Sequence, residues 1–332
     1  MSLPVQIDTH IPNDWAQGEM LDDIRRTFTN HPKVLRPKWL YDDRGSELFD
    51  RITTLDEYYP TEAERSLLLD KASEIARRSG ADTIIELGSG TSDKTRTLLD
   101  AFWVTEQLTT FIPVDVSEQT LVDASERLAE RYPGLSVQAH VGDFTRHLGH
   151  LPHSGRRLVA FLGGTLGNFY QEERAAFLGA VADTLDTDDW ILLGVDLVKD
   201  AQRLIDAYHD SEGVTAEFVT NVLSIINREL GGNLPLEQFD YVPLWDAQEE
   251  RVDMRLRAAM PVTARIEALD LDVSFDEGEE LRVEISTKFR QEKLSGELLA
   301  AGFDVDAFWT SSASEDGLLQ DSDFALLLAR RA

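Results

Sequence analysis

The 332-residue sequence contains no cysteine, which excludes disulfides, thiol nucleophiles and thiolate metal sites and fits a reducing compartment. Lysine is scarce as well, with only Lys33, Lys38, Lys71, Lys94, Lys199, Lys288 and Lys293, and 32 basic residues face 61 acidic ones for a formal net charge of −29. The acidic excess is spread along the chain and not gathered in a tail. A polyanion would be repelled, so neither nucleic acid nor an anionic membrane surface is expected as a partner. No apolar run approaches membrane length. The opening residues MSLPVQIDTHIPNDW carry neither a basic region nor an apolar core, so a soluble cytoplasmic protein is expected. Repeats and low-complexity linkers are also missing. What is present is a 42% hydrophobic content, enough for a core in one large domain or two modest ones.

From residue 61 the pattern becomes regular. A helix is expected over Thr61–Ser79, then strands at Thr83–Leu87, Thr110–Val116, Ser136–Val141, Arg157–Leu162 and Trp190–Val195, with helical patterns at 118–131 and 171–185. Short apolar strands alternating with helices imply a parallel sheet covered on both faces, with ligands beyond the strand carboxyl ends. Those ends read Glu86-Leu87-Gly88, Pro113-Val114-Asp115, Gly142-Asp143-Phe144 and Gly163-Gly164-Thr165. The rhythm changes after Val195. Amphipathic helices near 199–210 and 214–230 precede strands at Tyr241–Trp245, Arg251–Met260, Ala264–Leu271 and Glu279–Ser286, the last two joined by Asp276-Glu277-Gly278. A helix at Gln291–Ala301 and strands at Phe303–Thr310 and Phe324–Ala329 could complete the first sheet. Residues 199–288 therefore read as an insertion, joined by residues 10–60.

The stretch ELGSGTSDKT, residues 86–95, resembles two phosphate-binding motifs and breaks both at Asp93. A Walker loop needs glycine before Lys94 and Thr95, and a dinucleotide fingerprint needs its third glycine near the same place. A carboxylate there repels a pyrophosphate, whereas S-adenosylmethionine carries no phosphate and bears a cationic sulfonium. Asp115, 27 residues beyond Gly88, is placed to accept hydrogen bonds from ribose hydroxyls; the alternative is a turn residue at the strand end, although Ser117 offers a better cap for the next helix. Asp143 could bind a ligand or turn locally with Gly142. His147, His150 and His153 have a spacing that invites a metal, but Gly149 and Pro152 interrupt any helix that would stack them, so a surface connection is expected and no metal.

The chain resembles the histidine-specific, S-adenosylmethionine-dependent methyltransferases of ergothioneine biosynthesis. The resemblance rests on WLYDDRGSELFDRIT at 39–53, EYYPTEAE at 57–64, ELGSGTSDKTR at 86–96, FIPVDVS at 111–117, GDF at 142–144, FLGGTLGN at 161–168, LLGVDLVKD at 192–200, INREL at 226–230 and EISTKFR at 284–290. It implies an α/β fold: a Rossmann-like class I methyltransferase sheet, residues 61–198 and 289–332, with an inserted α+β substrate-binding domain, residues 10–60 and 199–288. S-adenosylmethionine would be bound by Gly88, Lys94, Asp115, Asp143 and Phe144, with Tyr41 reaching in from the N-terminal segment. L-histidine would lie between the domains, its carboxylate on Asn168 and Tyr208, its amine beside Gly163, and its imidazole read by Tyr58, Glu284 and Ser286 with Met254 beside the ring. The same resemblance implies a monomer.

The chemistry suits those residue types. An imidazole offers one donor and one acceptor, so a carboxylate and a hydroxyl satisfy both edges. Methyl transfer is an in-line displacement by a neutral amine, dominated by positioning, and no general base is assigned. Taken singly, each residue has a structural alternative. Tyr58 and Tyr59 could be a packed corner, Glu284 an exposed strand residue between Val283 and Ile285, Asn168 a turn residue, Tyr208 and Met254 core, and Lys94 a solvated helix residue. Three other readings stand beside the first: a relative acting on tryptophan or another amino acid, a non-catalytic adenosyl-binding module, and an NAD dehydrogenase.

Overall fold

The structure, a computed structural model, describes residues 5–11, 15–92 and 94–332. Asp93, on which both phosphate-binding motifs break, lies outside the described residues.

The chain begins with strand β1 (Gln6–Thr9), helix α1 (Trp15–Thr29), the short strand β2 (Lys33–Val34) and helix α2 (Asp43–Ile52). Strands and helices then alternate: α3 (Tyr59–Ser79), β3 (Thr83–Leu87), α4 (Thr95–Trp103), β4 (Thr110–Asp115), α5 (Glu118–Arg131), β5 (Ser136–Val141), β6 (Arg157–Phe161), α6 (Gln171–Thr184) and β7 (Trp190–Asp196). Helices α7 (Ala201–Asp206) and α8 (Val214–Leu230) lead into β8 (Phe239–Asp246), β9 (Arg251–Ala258), β10 (Val262–Ile266), β11 (Leu271–Phe275) and β12 (Glu280–Thr287). Helix α9 (Gln291–Ala300) and strands β13 (Phe303–Thr310) and β14 (Phe324–Arg331) close the chain. Two compact units result. The first holds β1, Pro60–Leu197 and Phe289–Ala332, and the second holds α1 to Tyr59 and Val198–Lys288.

In the first unit, eight strands form one sheet in the order β1-β5-β4-β3-β6-β7-β14-β13. The strands from β1 through β7 in that order pair in parallel, and β14 runs antiparallel to both β7 and β13. Every residue of β3, β6 and β7 is buried, which is why these strands read as continuous apolar runs and not as alternating ones. Strand β3 pairs with β4 on one side and β6 on the other, so the order reverses at β3, and sheets of this kind bind ligands beyond the carboxyl end at such a point. Gly88 occupies that end.

The second unit carries a four-stranded sheet, β2-β12-β9-β8, and a separate hairpin, β10-β11. Helix α8 starts where Asp210 accepts from the backbone N–H groups of Val214 and Thr215, both at 2.8 Å, and stops at Gly231 in a left-handed conformation. The strand expected over 264–271 does not run through. It breaks into β10, a short 3-10 turn at Glu267–Leu269 and β11, because Asp270 adopts a left-handed backbone (φ 49°) that reverses the chain. Asp276–Gly278 therefore connects β11 to β12. Helix α7 is also shorter than the 199–210 pattern, ending at Asp206, with Asp200 capping it through Gln202 and Arg203.

Candidate functional site

The turn after β3 is shaped by carboxylates on both sides. Gly88 has φ 69°, open to glycine at no steric cost, and a Cβ there would sit 3.5 Å from the Phe144 ring, so Gly88 and Phe144 are neighbours. Asp115, ending β4, accepts the Gly90 N–H on Oδ2 at 2.9 Å and the Ser117 N–H on Oδ1 at 3.0 Å. Ser117 does not cap α5 through its own side chain; it bonds Thr120, and Asp115 takes over part of the local turn. Asp143, at the end of β5, accepts from the backbone and hydroxyl of Thr145, both on Oδ1, at 2.8 and 2.6 Å. Each acid thus does turn work and still has lone pairs to offer a ligand, since an ionised carboxylate accepts about four hydrogen bonds. Phe144 packs edge-on against Phe161 and Phe177.

Two buried glutamates under this turn carry no role in the sequence reading. Glu86 accepts from Ser92 Oγ at 3.0 Å and from Thr95 Oγ1, and burial pushes its carboxyl up to about 8 despite those two hydroxyls. Glu64, fully buried on α3, accepts the Gly163 N–H on Oε1 at 2.7 Å and the Lys94 ammonium on Oε2 at 3.0 Å. Lys94, the residue just before α4, and Gly163, singled out separately, thus meet on one unforeseen carboxylate. Room for it comes from Gly194, where a Cβ would collide with Glu64 Oε1. A Glu seven residues after Glu57 in a helical pattern gives no signal of burial. Asn168 closes a one-turn 3-10 helix, Thr165–Asn168, directly after Gly163 and Gly164.

His147, His150 and His153 lie in the connection between β5 and β6, where His150 and His153 are exposed and His147 is half-buried. His147 Nδ1 receives the Asp143 N–H at 3.0 Å, and the His10 ring stacks on His140 and His150 with centroids 5.1 and 4.7 Å away. Burial first, then neighbouring histidines, lowers the pKa of both His10 and His140. His153 lies 3.2 Å from the Arg157 guanidinium. Among the described residues no group of three or more His, Cys, Asp or Glu is placed to hold a metal, and no helix is long and apolar enough to cross a membrane.

In the second unit, Glu284, Ser286 and Lys288 recur at every second position along and just beyond β12, and successive alternate residues share a face. That face is buried, not exposed as its alternation first suggests. Met254 stands directly opposite Glu284 on β9, so their side chains project together. Tyr208, just past α7, donates to Ser286 Oγ at 2.9 Å and accepts from Lys288 Nζ at 2.7 Å, while Lys288 Nζ also donates to Ser286 Oγ at 2.8 Å. The Tyr208 hydroxyl thus points its proton at Ser286 and its oxygen at Lys288. Tyr58 lies edge-on to Tyr208, with centroids 6.0 Å apart; its neighbour Tyr59 is the packed one, buried with its hydroxyl 2.7 Å from Lys199.

Burial pushes the Glu284 carboxyl up to about 8, and the Lys288 charge draws it back. The same carboxylate, after burial itself, raises the phenols of Tyr41 and Tyr241. Tyr41 is 44% exposed, and its ring packs edge-on to Phe49 and Phe218. Tyr241, which donates to the Tyr208 carbonyl at 2.8 Å, and Lys288 are the members of this cluster that sequence reasoning did not single out.

A parallel sheet that reverses at β3, with acids at the ends of β4 and β5 beside a glycine turn lacking the phosphate motifs, defines a Rossmann-like methyltransferase using S-adenosylmethionine. The family model described as "Histidine-specific methyltransferase, SAM-dependent" matches residues 20–320, and the chain belongs to that family. It is 48% identical over 316 residues to histidine N-alpha-methyltransferase of Mycolicibacterium smegmatis, and 46% identical over 314 residues to that of Mycobacterium tuberculosis; each match covers 95% of this chain and 98% of the relative. Ergothioneine biosynthesis protein 1 of Neurospora crassa is 35% identical over 209 residues, 60% of this chain and 23% of that protein.

Proposed function

We propose that this protein methylates the α-amino nitrogen of L-histidine three times to give hercynine, the first step towards ergothioneine. The observation that carries the reading is the buried face on which Glu284 and Ser286 stand side by side with Met254 opposite. One carboxylate and one hydroxyl match the donor and acceptor edges of an imidazole, and the thioether covers a flat ring. Such a site rejects amino acids that leave a buried polar group unpaired, by roughly 1–3 kcal/mol or more. The names of the two mycobacterial relatives and of the fungal one support the same substrate and the same biosynthetic route.

In this reading the first unit binds the methyl donor and the second the imidazole. Asp115 and Asp143 offer acceptors to the ribose and to cationic groups, the Gly88 turn allows close approach beside Phe144, and Lys94 is held by Glu64. Tyr41 completes the cofactor set, and Gly163, Asn168, Tyr208 and Tyr58 complete the substrate set. The bound donor supplies an electrophilic methyl group on a sulfonium. Each turnover exchanges one N–H for one N–CH3 and releases one proton; after the third no N–H remains and the reaction stops. Orientation carries most of the rate, up to about 7–11 kcal/mol at the favourable limit, and no residue is assigned as general base. A cytoplasmic monomer is part of the proposal; the cysteine-free sequence fits a reducing compartment, and the monomer follows from the family resemblance.

Mass spectrometry of the protein mixed with S-adenosylmethionine and each of the twenty amino acids tests the reading. Histidine gaining three methyl groups is the expected result. Methylation of another amino acid, tryptophan included, with histidine untouched overturns it.

A further inference from the structure

Ser286 is held by two donors. Lys288 Nζ reaches its Oγ at 2.8 Å and the Tyr208 hydroxyl reaches the same oxygen at 2.9 Å. A serine hydroxyl has two lone pairs and one proton. With both lone pairs filled, the proton is the one bonding capacity left, so Ser286 can only donate to a third group. Lys288 also feeds the second donor, since its ammonium lies 2.7 Å from the Tyr208 hydroxyl and 4.6 Å from the centre of that ring. An ammonium has three protons and no acceptor, so its direction of donation never reverses. All three side chains are buried, which removes water as a competing partner.

We infer that Lys288 is a positioning residue for substrate specificity: by donating to Ser286 and Tyr208 it locks Ser286 as a hydrogen-bond donor, so the site accepts only a ring presenting an acceptor nitrogen there. The inference rests on the histidine reading above. It deepens that reading by fixing which edge of the imidazole goes where. The lone-pair nitrogen faces Ser286 and the N–H faces Glu284, one tautomer in one orientation. Without Lys288 the hydroxyl regains an open lone pair and can rotate, and the site no longer distinguishes an acceptor from a C–H at that position.

The test uses the full chain, with histidine compared against pyrrolylalanine, which keeps a ring N–H and replaces the acceptor nitrogen by C–H. Lys288→Met is expected to raise KM for histidine about tenfold or more while kcat stays within about threefold, and to shrink the preference for histidine over the pyrrole analogue by a similar factor. Ser286→Ala is expected to do the same, and the double variant to be no worse than Ser286→Ala alone, because both changes remove one interaction. Lys288→Gln retains an N–H donor without the charge and keeps the histidine preference closer to that of the unmodified protein; it also serves if the methionine variant does not fold. An unchanged KM and preference in the lysine variants overturns the inference, as do effects of Lys288 and Ser286 that multiply. If the unmodified protein does not methylate histidine, the histidine reading itself has failed, and the inference falls with it.

Discussion

Glu86 in the first unit and Glu284 in the second are both buried carboxylates pushed up to about 8 by desolvation, yet their surroundings differ in kind. Glu86 meets two hydroxyls from its own neighbourhood, Ser92 and Thr95, which close the turn onto the strand that precedes it. Glu284 stands on a sheet face among Met254, Ser286, Tyr41, Tyr58, Tyr208 and Tyr241, and the force drawing its pKa back is the charge of Lys288. A raised pKa alone therefore does not separate a structural acid from a recognition acid. The partners do. Hydroxyls from the same turn hold the Glu86 carboxyl, whereas Glu284 stands on an aromatic-lined sheet face beside Lys288.

The comparison breaks most visibly in activity. Glu284→Ala is expected to lower kcat/KM for histidine by about 10²-fold, the cost of leaving the buried ring N–H unpaired, and to erase the preference for histidine in the amino-acid panel. Glu86→Ala is expected to leave that preference unchanged. A variant of Glu284 that retains full histidine selectivity removes the distinction.

The second prediction concerns pH. Both folded-state values lie above the ordinary 4.5, so the fold favours the protonated acids. The stability each contributes is complete below about pH 4.5 and is lost as pH rises towards 8, at about 1.4 kcal/mol per pH unit per group at most. Glu284→Gln and Glu86→Gln, which mimic the protonated form, should each gain on the unmodified protein by on the order of 2 kcal/mol between pH 5 and pH 7. Denaturant melts at the two pH values measure this, and parallel behaviour of variant and parent at both would contradict it.

Smaller effects sharpen the picture of the first unit. Gly194→Ala forces a methyl group against Glu64, whose carboxylate is fixed by Gly163 and Lys94, and should cost about 1–3 kcal/mol with a lower melting temperature. Ser92→Ala removes one of the two hydroxyls on Glu86 and should cost about 0.5–1.5 kcal/mol, with KM for histidine unaffected. A rise in histidine KM there would place Glu86 among the recognition residues.

Much of the first unit was legible because its signals are local. Continuous apolar strands, the Gly88 turn and acids at strand ends each follow from a few consecutive residues, and the closing strands β13 and β14 joined the same sheet as their pattern suggested. Asp115 was legible as a ligand candidate, but its bond to Gly90 was not, since it depends on how two strand ends come together. Glu64 and Lys288 escaped for the same reason. Each becomes significant only through partners distant in sequence, Gly163 for the first and Tyr208 for the second. The break at Asp270 was missed because an aspartate in a left-handed conformation leaves no periodicity to read. Glu284 showed the limit from the other side: alternation with Val283 and Ile285 predicts one wet face, and the structure buries both.

Leu197 and Phe289 form a single parallel bridge inside the first unit, so the 91 residues from 198 to 288 leave and return at adjacent points. Strand β14 pairs with β7 only after the chain has come back through that point. The entropy of closing so long a loop grows only slowly with its length, so the excursion could lengthen or shorten at little cost to the sheet. The bridge is therefore a hinge pin for length: the chain between its two residues can change in extent while the strand order of the eight-stranded sheet stays as it is.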